Sequence, residues 1–135
     1  MIDSHISDIK WMKRAIYLAS LGKGRTSPNP MVGAVILDKN GNLISEGFHS
    51  KSGMPHAEAM AFNNLKKDAR NGTIYVNLEP CCHQGKTPPC VDKIISFGIK
   101  KVFVSMEDPD KRVSGKGIKL LKDAGIKVHH GLCEK

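Results

Sequence analysis

The sequence predicts a three-layer α/β/α domain built around a mixed, mostly five-stranded sheet. From Thr73 onward, apolar segments follow in the order strand, helix, strand, helix, strand, and helical crossovers of this kind join parallel strands. Ahead of them, two β-type segments flank the turn signal Asn40-Gly41, which predicts an antiparallel hairpin. A hairpin that continues into a parallel half gives a mixed sheet with helices on its faces.

The individual elements follow from local patterns. Residues 5–21 predict a helix that Gly22 ends, with a buried side formed by Ile6, Ile9, Met12, Ile16 and Ala19 and widened by Tyr17, Leu18 and Leu21. Strands are predicted at 31–37, 43–48, 73–78, 101–106 and 126–129. Three further helices are predicted at 56–71, about 89–98 and 117–124. The first of these three should bury Ala57, Met60, Ala61, Leu65 and Ala69.

Length and composition limit the class of protein. The chain of 135 residues has the size of one domain, so we expect residues 1–135 to form it. The polar N-terminus lacks the basic start and apolar run of a secretory signal, and no segment approaches the roughly 20 apolar residues of a membrane helix. We therefore expect a cytoplasmic protein without a membrane partner. The four cysteines are then interpreted as metal ligands or free thiols rather than disulfides.

The charge balance favours an anionic partner. The formal net charge is +8, which suits a phosphorylated metabolite or a nucleic acid equally well. The aromatic residues are one Trp, two Tyr and four Phe, fewer than a platform that stacks single-stranded bases would need. Nucleic acid is therefore the less favoured partner.

Two short stretches carry the chemistry that matters most. His56, Cys81 and Cys90 offer one imidazole and two thiols, which would give a zinc ion three protein ligands and leave the fourth position to water, as in catalytic zinc sites. Glu58 lies two residues beyond the histidine, near the metal without being a ligand. Zinc deaminases show this logic as His-x-Glu followed by Pro-Cys-x-x-Cys. Here eight residues rather than two separate Cys81 from Cys90.

Topology predicts where such a site should lie. Open α/β sheets bind ligands beyond the carboxyl ends of their strands, and the polar loops after Leu78 and Met106 should both open there. His56 and Cys90 would each lie at the N-terminus of a helix. Helix N-termini favour anions and so help to hold a thiolate.

The residues leave a non-catalytic alternative open. A closed structural zinc site could take Cys82, His83 or Cys133 as its fourth ligand, although Glu58 would then have no evident role.

In the catalytic interpretation, zinc lowers the pKa of bound water to about 7 and supplies hydroxide at neutral pH. Glu58 would take the water proton, pass it to a ring nitrogen and later protonate the departing amine. The reaction class is hydrolytic deamination of an amino-substituted ring.

The longer cysteine loop resembles that of a known family. Residues 78–90, which read LEPCCHQGKTPPC, resemble the pyrimidine deaminase of riboflavin biosynthesis, within the cytidine-deaminase-like fold. Residues 27–33 (SPNPMVG), 47–49 (GFH), 56–58 (HAE) and 115–117 (GKG), together with Asp108-Pro109, fall at matching places. The resemblance extends over almost the whole chain.

The resemblance implies a substrate and a role for individual residues. The substrate would be 2,5-diamino-6-ribosylamino-4(3H)-pyrimidinone 5′-phosphate, which loses its 2-amino group as ammonia. One zinc per chain would bind His56, Cys81 and Cys90, with Glu58 as the proton shuttle. The implied substrate contacts are Asn29, His49, His83, Lys86 and Asp108. Among these, Lys86 has the best independent case, because a phosphate monoester needs a cation.

The resemblance also bears on assembly and on rival functions. It implies a homo-oligomer, a dimer or larger. Bacterial members commonly carry a C-terminal NADPH-dependent reductase domain, and we expect none in residues 1–135. The enzymatic alternative is a zinc deaminase of a cytosine or adenine nucleotide or of tRNA adenosine. The non-enzymatic alternative is a structural zinc module that binds nucleic acid through its positive charge.

Overall fold

The computed structural model describes residues 2–21, 32–48, 57–80, 90–106 and 115–133, without the side chains of residues 2–5. Within them lie four helices and five strands. The helices are α1 (Ile2–Ser20), α2 (Ala57–Asn63), α3 (Cys90–Ser96) and α4 (Lys116–Asp123). The strands are β1 (Gly33–Leu37), β2 (Leu43–Phe48), β3 (Thr73–Leu78), β4 (Lys101–Met106) and β5 (Lys127–His130).

The five strands form one mixed sheet in the order β2-β1-β3-β4-β5. β1 is antiparallel to both β2 and β3, whereas β3, β4 and β5 are parallel. The hairpin turn closes at Gly41, whose φ of 85° suits glycine. These observations confirm the predicted hairpin and the predicted parallel half.

Two apolar cores cover the two faces of the sheet. Successive strand residues point to opposite faces, and Val35, Tyr75 and Phe103 accordingly lie in a core with the buried side of α1. Their neighbours Ile36, Val76 and Val104 lie in the other core, with residues of α2, α3 and α4. The arrangement is the predicted three-layer α/β/α sandwich, with one helix on one face and three on the other.

The buried side of α1 differs in part from the prediction. Met12, Leu18 and Ala19 are buried as expected, and Ala15 joins them. Ile6 and Ile16, both predicted to be buried, are 58% and 38% exposed. Tyr17 and Leu21, predicted to widen the buried side, are exposed as well. The reason is close packing: a Cβ on Gly33 of β1 would lie only 2.1 Å from the carbonyl oxygen of Ala15, so the helix approaches the sheet along its small residues.

The helix α2 is shorter than predicted. It ends at Asn63 rather than near Asn71, and its last turn tightens to i→i−3 bonds, from the amide of Asn64 to the carbonyl of Ala61 and from the amide of Leu65 to that of Phe62. Asparagine is also a weak helix former. Leu65 and Ala69 nevertheless pack into the core as expected, so the apolar pattern correctly indicated burial but not helix.

The remaining boundaries agree closely with the prediction. β2, β3 and β4 match it residue for residue, and α3, α4 and β5 lie within about two residues of it. α1 begins at Ile2, earlier than the predicted residue 5, and ends at Ser20. β1 begins at Gly33, and the predicted start at Met31 lies outside the described residues. Among the described helices, none is long and apolar enough to cross a membrane.

Candidate active site

The start of β1 and the ends of β2, β3 and β4 lie at the same edge of the sheet. Gly33 at the start of β1 pairs with Phe48 at the end of β2, and its amide donates to Oδ1 of Asn77 near the end of β3 at 2.8 Å. The amide of Glu79, just beyond β3, donates to the carbonyl of Met106 at the end of β4 at 2.8 Å. The next helix in the chain after β2, β3 and β4 is α2, α3 and α4, respectively.

Glu58 lies in the first turn of α2 and is 4% exposed. The helix can approach the sheet closely because residue 47 of β2 is glycine: a Cβ there would lie 2.4 Å from the carbonyl oxygen of Ala57. The hydroxyl of Ser45 on the same strand also donates to the carbonyl of Ala61. The packing therefore holds the first turn of α2 against β2, and with it a carboxylate that is shielded from bulk water.

Cys90 is the first residue of α3 and is 2% exposed. It forms no disulfide. Val91 and Ile94 anchor the helix in the core on the same face of the sheet as α2, and α2 and α3 pack against each other. A buried carboxylate and a buried thiol thus lie in the first turns of two neighbouring helices.

The structure places only part of the predicted site. Of the proposed metal ligands, Cys90 is described, whereas His56 and Cys81 lie outside the described residues. The predicted substrate contacts Asn29, His49, His83, Lys86 and Asp108 also lie outside them. Within the described ranges, no three His, Cys, Asp or Glu side chains come together as a metal site. His56 directly precedes α2, and Cys81 directly follows the buried Pro80.

A further buried acid at this edge was not predicted as part of the site. Glu79 is 5% exposed, and its carboxylate accepts hydrogen bonds from the amides of Gly115 at 2.9 Å, Gly117 at 2.8 Å and Ile118 at 3.2 Å. The Gly115-Lys116-Gly117 run opens α4, and two of its three amides donate to this carboxylate. No sequence signal joins positions so far apart, although the Glu-Pro-Cys run marked Glu79 as a neighbour of Cys81.

Comparison with known proteins identifies the family to which the chain belongs. The family model described as "Cytidine and deoxycytidylate deaminase zinc-binding region" matches residues 5–106. The diaminohydroxyphosphoribosylamino-pyrimidine deaminase of Buchnera aphidicola is 49% identical over 130 residues, which cover 96% of this chain and 88% of that protein. The chain belongs to this deaminase family. Because the matching region of the family is a zinc-binding one, membership implies that the chain binds zinc.

Longer relatives contain the same deaminase domain. The riboflavin biosynthesis protein RibD of Escherichia coli is 46% identical over 127 residues, which cover 94% of this chain and 34% of that protein. A solved structure of RibD from Acinetobacter baumannii superposes with a TM-score of 0.92 at 48% identity, over 96% of this chain and 36% of the other. The chain thus spans about a third of these longer relatives. The superposition confirms the predicted deaminase fold.

Proposed function

We propose that this deaminase domain removes the 2-amino group of 2,5-diamino-6-ribosylamino-4(3H)-pyrimidinone 5′-phosphate as ammonia, in riboflavin biosynthesis. The observation that carries the proposal is the burial of Glu58 and Cys90 in the first turns of two packed helices at one edge of the sheet. The name and the high coverage of the Buchnera relative support the choice of substrate. The formal net charge of +8 suits a phosphorylated substrate.

The donor chemistry at this edge fits a zinc ion. Cys90 offers a thiol outside any disulfide at a helix N-terminus, where the helix dipole favours the thiolate that zinc requires. We propose one zinc per chain, held by His56, Cys81 and Cys90. When bound, zinc would lower the pKa of a coordinated water to about 7.

Glu58 performs the proton transfers in this proposal. Its carboxylate takes one proton from water and gives it to a ring nitrogen of the pyrimidine while the water oxygen bonds to the carbon that carries the amino group. It then takes the second proton from the new hydroxyl and delivers it to the amine, which leaves as ammonia when the carbon–nitrogen bond breaks. A general acid–base group works best when it is fixed and shielded from bulk water. The close packing of α2 on Gly47 supplies both conditions.

The remaining assignments concern substrate binding and assembly. Asn29 and His49 would contact the ring and the ribose, His83 and Lys86 the polar groups including the phosphate, and Asp108 the substrate pocket. A homo-oligomer and a cytoplasmic location stay predictions. Among curated relatives, the riboflavin biosynthesis protein PYRD of Zea mays is described as chloroplastic.

The test measures ammonia released from this substrate by the zinc-loaded protein and by Glu58→Gln. The variant keeps the size of the side chain and removes the carboxylate, so we expect a rate about 10²–10⁴-fold lower with unchanged zinc content. Glu46→Gln is the matched control. Glu46 forms a surface ion pair with Arg14, and its variant should retain the wild-type rate.

Two results would contradict the proposal. Zinc-loaded wild-type protein that releases no ammonia from this substrate would exclude the assigned activity, and a parallel assay with dCMP would then test a nucleotide substrate. Wild-type rates in Glu58→Gln would instead leave the reaction in place and exclude the role of Glu58.

A further inference from the structure

The carboxylate of Glu79 joins two distant parts of the chain at the edge that carries the candidate site. It accepts three backbone hydrogen bonds from the start of α4, from Gly115, Gly117 and Ile118. These donors lie 36 to 39 residues away along the chain. Glu79 itself is buried and directly precedes Pro80, which is buried as well.

These hydrogen bonds are stronger than ordinary turn contacts. The first amides of a helix have no partner within the helix, and the positive end of the helix dipole favours a carboxylate there. Charge-assisted bonds are also roughly twice as strong as neutral ones. Gly115 is the N-cap residue, with a φ of 81°, and has no side chain with which to cap α4. Glu79, the residue that follows β3, therefore supplies the cap.

The contact also fixes the backbone that follows Glu79. The amide of Glu79 donates to the carbonyl of Met106 in β4, so the residue is held by β4 on one side and by α4 on the other. A Cβ on Gly117 would lie 2.4 Å from the carbonyl oxygen of Pro80. The residue after β3 and its successor are thus both packed against α4, and Cys81 is the next residue in the chain.

We propose that Glu79 is a positioning residue for zinc, because it fixes the end of β3 against α4 and so sets the start of the segment that carries Cys81. This inference rests on the proposed function, which makes Cys81 a zinc ligand. Zinc binding is sensitive to such support, since partners beyond the ligands commonly change metal affinity by about 10–100-fold. A helix cap without this role would affect only the stability of the fold.

The experiment compares Glu79→Gln with Ile118→Val and the wild-type protein. Ile118 is buried in the first turn of α4, and valine there weakens packing while the backbone amide still bonds to Glu79. Zinc affinity is measured by competition with a chromophoric chelator. Cobalt replaces zinc in a parallel series, because the thiolate-to-cobalt and d–d absorption bands report the number and arrangement of the thiolates.

We expect Glu79→Gln to bind zinc about tenfold more weakly or worse and to shift the cobalt bands. Ile118→Val should keep the wild-type zinc affinity and cobalt spectrum, even if its thermal midpoint falls as far as that of Glu79→Gln. A wild-type affinity and an unchanged cobalt spectrum in Glu79→Gln would overturn the inference and leave the proposed function intact. Wild-type protein that binds no zinc would overturn both.

A second measurement needs only the wild-type protein and can overturn the inference even if Glu79→Gln does not fold. Coupling between two sites is reciprocal, so zinc must protect the amides of Gly117 and Ile118 from hydrogen exchange if their bonds to Glu79 favour zinc binding. The amide of Arg70, which donates to the carboxylate of Asp68 at 2.9 Å, is the control. Equal protection factors at Gly117 and Ile118 with and without zinc would overturn the inference.

Discussion

Removing the hydroxyl of Tyr75 should weaken the fold by an amount that depends on pH. Tyr75 on β3 is 3% exposed, and its hydroxyl donates to the carboxylate of Asp8 on α1. Hydrogen bonds to charged groups contribute about 1.5–3 kcal/mol. Phenylalanine retains the ring, which stacks on Phe103 at a centroid distance of 4.7 Å. We therefore expect Tyr75→Phe to lower the free energy of unfolding by about 2 kcal/mol at pH 9.

The pH dependence follows from the raised pKa of Tyr75. Burial raises this pKa well above the ordinary tyrosine value of about 10, and the hydrogen bond to Asp8 and the charge of Asp8 raise it further. Below pH 10, the phenol keeps its proton in both the folded and the unfolded chain. Above it, the unfolded chain loses the proton and the folded one does not, so the free energy of unfolding falls by about 1.4 kcal/mol per pH unit.

Tyr75→Phe has no phenol at this position and lacks that component. The difference between wild type and variant should therefore shrink from about 2 kcal/mol at pH 9 to about 0.6 kcal/mol at pH 11. This difference in the free energy of unfolding is measured by urea unfolding, with the fluorescence of Trp11, the single tryptophan, as the signal. Trp11 is a suitable probe because it packs against the core that contains Tyr75.

A matched variant controls for loss of a tyrosine hydroxyl as such. Tyr17 is 53% exposed on α1, so Tyr17→Phe should change the free energy of unfolding by less than about 0.5 kcal/mol at pH 9. The reasoning on Tyr75 is refuted if Tyr75→Phe is as stable as wild type at pH 9. It is also refuted if the difference between them stays constant or grows between pH 9 and pH 11.

Two further predictions concern the candidate site. Gly47→Ala would place a Cβ 2.4 Å from the carbonyl of Ala57. We therefore expect about 1–3 kcal/mol of destabilisation by urea unfolding and slower ammonia release, because α2 must move with Glu58. In Gly41→Ala the Cβ meets nothing within 4 Å, but the φ of 85° strains alanine, so this control should lose stability and leave ammonia release unchanged. Cys90→Ser should lose bound zinc by elemental analysis while Cys133→Ser keeps it, and equal zinc in both would exclude Cys90 as a ligand.

Much of the fold followed from local sequence patterns. The hairpin around Gly41 and the alternation of strands and helices after Thr73 were predicted and are confirmed, because turn chemistry and apolar periodicity act within a few residues. The exposure of Ile6, Ile16, Tyr17 and Leu21 was not predicted. Which side of α1 is buried depends on how closely the helix can approach Gly33 of another element.

The same distinction, between what local sequence predicts and what only tertiary contacts show, applies to the candidate site. The sequence by itself determined the kinds of side chain, since the His-x-Glu motif of His56 and Glu58, joined to the thiols of Cys81 and Cys90, already indicated zinc-deaminase chemistry. Only the tertiary structure showed that Glu58 and Cys90 are buried in packed helices and that Glu79 caps α4. The reason is physical: hydrogen bonds and close contacts between residues far apart in the chain exist only once the strands have taken their order in the sheet.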